Sequence, residues 1–352
     1  MIKTLPEFAS VLVSVTEGCH VGCAHCGFIG SIRDRETDPE ELCRWVTDTC
    51  SYGVPNIIFT GGEPFERFEV LRSGVLAATS QGTMSSLFTS SYWATSEDVT
   101  LSYLEQLKGL KRLYLSTDIY HQRTVPYENV RNVIRVADQC GIEGITLCIT
   151  YATDEDLGKV RSEYQEFEDR VRFYESRVIP TEFIGRILRE QDPMTKISEA
   201  DYGPKCWLET PIINPNGDVF ACHIGKVGAH GSMEDLPYWL GNLRRQPFRE
   251  IMEKARYKKE YQFLRTHGPE GIARLYQEYS DTLEPAVGRD EFSEACDMCF
   301  SVLVSQEGRQ CLSEFTSRPQ VQEEINIRLA LRFGEAPVDF SQGPLVSLEV
   351  AQ

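Results

Sequence analysis

Between residues 11 and 180, short runs rich in β-branched and aromatic residues alternate with amphipathic stretches, and this constrains the fold more than any other feature of the chain. Strands are expected at 11–16 (VLVSVT), 56–61 (NIIFTG), 85–90 (SSLFTS), 112–117 (RLYLST), 145–151 (ITLCITY) and 171–179 (VRFYESRVI). Helices are expected at 38–52, 65–81, 96–108, 126–140 and 154–168, several of them opened by Asp, Pro or Ser cap signals. Repeated βα units imply a parallel sheet, and six repeats fall short of the eight that close a barrel. The expected fold class is therefore α/β, a partial (β/α)6 TIM-like barrel whose functional residues sit at the C-terminal ends of its strands. A polar stretch with two prolines, 187–205, predicts a linker with a boundary near 195. The expected layout is a core over 1–195, a smaller β-hairpin and helical unit over 196–319 with a charged helical insert at roughly 242–280, and a tail over 320–352.

Composition narrows the function. A hydrophobic share of 41% and a charged share of 25% are those of an ordinary globular protein, and no apolar run reaches the about 18 residues of a membrane helix. The first residues, MIKTLPEFASVLVSV, lack the features of a secretory signal, so a cytoplasmic protein with no membrane partner is expected. A net charge of −17 opposes phosphate neutralisation and argues against a nucleic-acid partner. Twelve cysteines in a reducing compartment point to metal ligation rather than disulfides. Cys43, Cys50, Cys140 and Cys148 lie in amphipathic or strand-like segments and are expected to pack.

The segment Cys19-His-Val-Gly-Cys23-Ala-His-Cys26 follows the first expected strand directly. Three thiolates can bind three irons of a cubane and leave the fourth open to an external ligand, whereas a structural cluster usually takes four. A zinc site is the alternative. The CxxxCxxC spacing, with the aromatic His25 before the last cysteine, closely resembles the radical S-adenosylmethionine (SAM) superfamily. That resemblance implies a SAM-binding [4Fe-4S] cluster on Cys19, Cys23 and Cys26, with SAM chelated at the open iron and cleaved reductively to a 5′-deoxyadenosyl radical. It also implies that Gly61, Gly62, Glu63 and Pro64, the GGEP after the second strand, receive the SAM ammonium. Ser90, Ser91, Ser116 and Asp118, at the ends of strands three and four, are implied to contact its methionyl carboxylate and ribose. Ser116-Thr-Asp118-Ile-Tyr-His121 resembles an S-x-D-x-[FY]-H signature in which Asp118 and His121 orient SAM or substrate, although a loop-capping histidine fits the residues equally.

A second cysteine set follows. Cys206 and Cys222 flank a segment with a Pro-Asn-Gly turn that reads as a β-hairpin, and Cys296-Asp-Met-Cys299 and Cys311 come later. This pattern resembles the Twitch and SPASM extensions of radical SAM enzymes and implies one auxiliary [4Fe-4S] cluster on Cys206, Cys222, Cys296 and Cys299. A tetrahedral zinc site is again the alternative.

Over about residues 9–312 the layout resembles peptide-modifying radical SAM enzymes of the epipeptide epimerase type. There, a cysteine beside the hairpin ligand returns hydrogen to the substrate radical; here the neighbour is His223, which leaves Cys311 or Cys148 to do so, or an oxidative outcome through the auxiliary cluster. The resemblance implies an oxidoreductase acting on an unactivated C–H of a ribosomally made peptide, by crosslinking, dehydrogenation or epimerisation, with flavodoxin or ferredoxin as electron donor. A small-molecule dehydrogenase or epimerase is the second reading, and a non-catalytic zinc-stabilised binding protein is the third.

Overall fold

A computed structural model describes residues 5–23, 25–26, 37–177, 207–222, 233–288, 292 and 295–342. The linker 187–205, the boundary near 195, Cys206 and His223 lie outside these residues. The chain divides into two compact units, one of residues 9–194 with 212–217, the other of 1–8, 195–211 and 218–352.

The first unit is built of βα repeats. Its strands and helices are β1 (Val11–Ser14), α1 (Pro39–Ser51), β2 (Asn56–Thr60), α2 (Phe68–Ser80), β3 (Met84–Thr89), α3 (Glu97–Leu104), β4 (Leu110–Ser116), α4 (Tyr127–Val136), β5 (Gly144–Tyr151), α5 (Asp154–Ser162), β6 (Arg172–Arg177) and β7 (Ile212–Ile213). All seven strands run parallel, in the order β6-β5-β4-β3-β2-β1-β7. The open order fits a partial barrel of the expected α/β class.

Alternation along the strands sorts the two faces of this sheet. Val11, Val13, Ile57, Phe59, Leu87, Leu113, Leu115, Leu147 and Ile149 are buried on one face, where helices cover the sheet. Ser14, Thr60, Phe88, Ser116 and Cys148 alternate with them on the other. Helix starts follow the local chemistry: the Asp38 side chain accepts from the Glu41 N–H ahead of Pro39, and Ser96 and Thr153 cap α3 and α5 in the same way.

One pairing goes beyond the expectation. Ile212–Ile213, which leads into the Pro-Asn-Gly turn, pairs in parallel with Leu12 and Val13 of β1. Both isoleucines are fully buried, and adding a parallel strand to the β1 edge removes their apolar side chains from water. The turn itself forms as its residues predict, with the Gly217 N–H donating to the Asn214 carbonyl at 2.8 Å and Gly217 at φ 85°.

The second unit holds the antiparallel pair β8 (Asp218–Phe220) and β9 (Trp239–Asn242), then α6 (Phe248–Arg256), α7 (Lys259–Glu278), α8 (Ser280–Val287), α9 (Ala295–Val304), α10 (Gln306–Thr316) and α11 (Pro319–Arg328), which runs into one π-helical turn, Leu329–Phe333. The charged insert is thus the pair α6–α7, and α7 buries Tyr261, Phe263, Leu264, Ile272 and Leu275. Among the described residues no helix is long and apolar enough to cross a membrane.

Candidate active site

The loops after β1 and β2 are laced together by their backbones. The Gly62 N–H donates to the Thr16 carbonyl at 2.7 Å and the Glu63 N–H to the Gly18 carbonyl at 2.8 Å. This approach demands glycine: a Cβ on Gly62 would lie 2.0 Å from the Gly18 carbonyl oxygen, and one on Gly61, at φ 149°, would lie 2.3 Å from that of Thr16. Two further contacts fix the cysteine loop. The His20 N–H and Nδ1 both meet Glu66 Oε1, at 2.5 and 2.7 Å, and Thr124 Oγ1 donates to the Val21 carbonyl at 2.9 Å.

So held, Cys19, Cys23 and Cys26 gather around Val21, Val125 and Tyr92. All three line one cavity of about 190 Å³ together with Val21, His25, Thr60, Gly61, Gly62, Glu63, Phe88, Thr89, Ser90, Ser116 and His121. The cavity lies at the C-terminal ends of β1–β4, where the ligand sites of parallel α/β sheets form. Burial pushes the Cys19 thiol up to about 12, a cost that binding to a cationic metal would reverse.

Glu63 forms one wall. Its carboxylate is fully buried and accepts from Thr89 Oγ1, the Phe65 N–H and both the N–H and Oγ of Ser90. Burial outweighs these bonds and raises its pKa, and among the described residues no basic side chain pairs with it. A buried carboxylate lacking a cation fits an ammonium group from a ligand. Ser91 adopts φ 66° and keeps a buried Oγ with no partner among the described residues; Asn129 Nδ2 holds its carbonyl at 3.2 Å.

The Ser116–His121 stretch supplies the opposite wall. Asp118 Oδ1 accepts from the Tyr120 and His121 N–H groups, both at 3.0 Å, while its buried Oδ2 has no hydrogen-bond partner among the described residues. His121 Nδ1 stands 2.9 Å from Oδ1 without the alignment of a hydrogen bond, and His25 Nε2 stands 3.9 Å from Oδ2. Burial disfavours a charged His121, but the Asp118 carboxylate and the Cys23 thiol raise its pKa to about 10. His121 and His25 hold the Asp118 carboxyl below its ordinary value against the effect of burial, whereas burial pushes His25 down to about 4.

The cavity thus brings together Cys19, Cys23, Cys26, His25, Gly61, Gly62, Glu63, Ser90, Ser116 and His121. Asp118 stands behind His25 and His121 rather than in the lining, and Pro64 is buried at the start of the 3-10 turn that Glu63 caps. Sequence reasoning passed over Thr89, Thr16, Glu66 and Thr124. Thr89 had a signal, being the strand-end hydroxyl beside Ser90; the others meet the site through contacts no spacing reveals.

In the second unit Cys222 follows β8, while Cys296 and Cys299 sit three residues apart on one face of α9. Cys222 and Cys299 both lie close enough to Tyr238 to influence its hydroxyl. Cys311 is buried on α10 beside Leu312 and Phe315.

The sequence matches the radical SAM superfamily over residues 13–163 and the SPASM iron–sulfur cluster-binding domain over 206–299. The first span contains Cys19, Cys23 and Cys26 and the second contains Cys206, Cys222, Cys296 and Cys299, with Cys311 beyond it. The chain is a radical SAM superfamily enzyme. It carries a SPASM domain, and its cofactors are SAM, a SAM-binding [4Fe-4S] cluster and an auxiliary iron–sulfur cluster. The non-catalytic zinc-stabilised alternative is overturned by these matches. An AdoMet-dependent heme synthase of Methanosarcina barkeri is 28% identical over 303 residues, covering 68% of this chain and 81% of its own length. The putative peptide biosynthesis protein YydG of Bacillus subtilis is 21% identical over 306 residues, covering 85% of this chain and 93% of its own. Among solved structures, native anSMEcpe with bound AdoMet and Cp18Cys peptide shares 14% identity, covers 69% of this chain and 79% of its own, and has a TM-score of 0.49. BtrN in complex with AdoMet and 2-DOIA shares 15%, covers 72% and 83%, and has a TM-score of 0.42.

Proposed function

We propose that this radical SAM enzyme functionalises an unactivated C–H bond in a ribosomally made peptide. The observation that carries the peptide reading is the relative named for peptide biosynthesis, whose match spans 85% of this chain and 93% of its own. When bound, the reduced cluster and SAM supply reductive cleavage of SAM and, with it, a hydrogen-atom abstractor.

The chain's own residues hold and orient these groups. Cys19, Cys23 and Cys26 are the ligands of the catalytic cluster, converging in one cavity as three thiolates must. Gly61, Gly62 and Pro64 shape the wall that lets Glu63 present a buried carboxylate to the SAM ammonium. Ser90, Ser91 and Ser116 offer hydroxyls at strand ends for its carboxylate and ribose. His25 lines the cavity and would flank the bound group, while Asp118, whose Oδ2 has no hydrogen-bond partner among the described residues, fixes His121 beside Cys23. Cys206, Cys222, Cys296 and Cys299 are the auxiliary ligands. Cys311 is the candidate thiol for returning hydrogen, and a ferredoxin- or flavodoxin-type protein is the electron source in the cytoplasm. The residues 1–195, 196–319 and 320–352 divide these roles into core, auxiliary domain and tail.

A small-molecule substrate is the second reading, favoured by the relative named for heme synthesis at 28% identity. The test is anaerobic reconstitution with iron and sulfide, then dithionite, SAM and a candidate peptide encoded beside the gene. Peptide-dependent 5′-deoxyadenosine with a mass change, or with deuterium gained from D2O, supports the peptide reading and separates oxidation from epimerisation. Formation of 5′-deoxyadenosine that ignores every such peptide and rises with a tetrapyrrole overturns it.

A further inference from the structure

Trp93 is buried and stands outside the cavity lining, yet it is one bond removed from the Glu63 carboxylate. Its indole Nε1–H donates to Thr89 Oγ1 at 3.0 Å, and Thr89 Oγ1 donates in turn to Glu63 Oε1 at 2.8 Å. The indole is itself held in place: its ring stacks on that of Phe65, with centroids 3.9 Å apart and planes 13° from parallel, and Tyr103 meets it edge-on at 5.6 Å. The direction of this chain is set by its members. A hydroxyl has one proton and two lone pairs, whereas an indole N–H and a backbone N–H can only donate. Thr89 Oγ1 accepts from Trp93 and, at 3.1 Å, from the Ser91 N–H, so both lone pairs are filled and its proton is directed to Glu63. Ser91 donates from a backbone at φ 66°, a turn braced by Asn129 Nδ2, which donates to the Ser91 and Tyr92 carbonyls at 3.2 and 2.9 Å. Glu63, Thr89, Ser91 and Trp93 are all buried, and hydrogen bonds in such surroundings are stronger than in water.

We propose that Trp93 is a positioning residue for SAM, its indole N–H orienting the Thr89 hydroxyl so that the Glu63 carboxylate is fixed where it receives the SAM ammonium. The inference rests on the reading of Glu63 as the acceptor of that ammonium. A group that binds a ligand directly is held in its productive geometry by the hydrogen bonds behind it. With the indole N–H removed, one lone pair of Thr89 is vacant, its hydroxyl is free to turn from Oε1, and the carboxylate loses the bond that fixes it.

The experiment is anaerobic equilibrium dialysis of SAM against the reconstituted full-length enzyme, with iron counted in each preparation. Trp93→Phe keeps an aromatic ring on Phe65 and removes the N–H. It is expected to weaken SAM binding about 3- to 10-fold, the effect of one hydrogen bond, with iron content unchanged. Replacing Trp93 by β-(3-benzothienyl)alanine, which puts sulfur in place of the N–H in a ring of nearly the same shape, is expected to give the same loss and keeps the test decisive should Trp93→Phe pack badly. Thr89→Val is expected to weaken binding at least as much, and Thr89→Ser to retain it. In the Thr89→Val background the Trp93 replacement should cost nothing further, because its effect passes through the hydroxyl; a packing role would add its loss to that of the valine. Full SAM affinity in the benzothienylalanine protein, or additive losses in the double variant, overturns the proposal. Glu63→Gln separates the two levels: unaltered SAM affinity there overturns the reading of Glu63 and the proposal with it, while weakened binding there beside full affinity in both Trp93 variants overturns the role of Trp93 alone.

Discussion

Gly62 and Glu63 show how much of the site is decided by single atoms. An added methyl at Gly62 collides with the Gly18 carbonyl, which is backbone and cannot swing aside. Gly62→Ala should therefore displace the loop that carries Cys19 and lower 5′-deoxyadenosine formation about 100-fold, measured chromatographically in reconstituted protein, since a shift near 1 Å at a reacting centre costs on that order. Glu63→Gln keeps the shape and removes the charge. Losing a charge-assisted bond of roughly 1.5–3 kcal/mol should weaken SAM binding about 10- to 100-fold, read by anaerobic equilibrium dialysis, with cluster content unchanged. Unaltered SAM affinity in that variant would remove the carboxylate from the site.

The C-terminal elements are joined by a buried ion pair. Arg265 on α7 makes two bonds to Glu335, at 2.9 and 2.7 Å, with side-chain exposures of 1% and 4%, and its guanidinium stacks 4.0 Å from the Phe333 ring centroid. This pair ties the segment after the π-helical turn to α7. Arg265→Met leaves a carboxylate buried without its partner and should destabilise the unit by about 3–5 kcal/mol. The double change Arg265→Met with Glu335→Leu should recover most of that loss in thermal melts of the holoenzyme, because the penalty is the orphaned charge rather than the missing bridge. A single variant as stable as the double would refute this account. Nothing in the tail's sequence announced the pair: Arg265 and Glu335 are 70 residues apart, and each alone reads as surface charge.

For the whole molecule, two cubanes imply about eight irons per chain after reconstitution. Cys299→Ala should reduce that to about four and leave SAM cleavage measurable, whereas Cys23→Ala should abolish 5′-deoxyadenosine while the auxiliary cluster remains. Full SAM cleavage by the Cys23→Ala protein would contradict the assignment of the catalytic cluster. Those two outcomes together would assign separable chemistry to the two units, as proposed above.

Six of the seven strands and the five helices of the first unit were legible because period-two and period-3.6 patterns and cap residues are local, and each is repeated. The three cysteines and the GGEP were legible for a similar reason: their spacing along the chain is itself the chemical requirement. The parallel pairing of Ile212–Ile213 with β1 was not, since a pair of isoleucines ahead of a turn names no further partner strand, and β1 lies far away in the sequence. The sequence by itself therefore determined the βα core and the cysteines and glycines that meet in one cavity, which depend on neighbours in the chain. Only the tertiary structure decided which buried carboxylate has no basic partner among the described residues and which histidine leans on Asp118, because burial and partnership at Glu63 and His121 depend on residues remote in sequence that meet on folding.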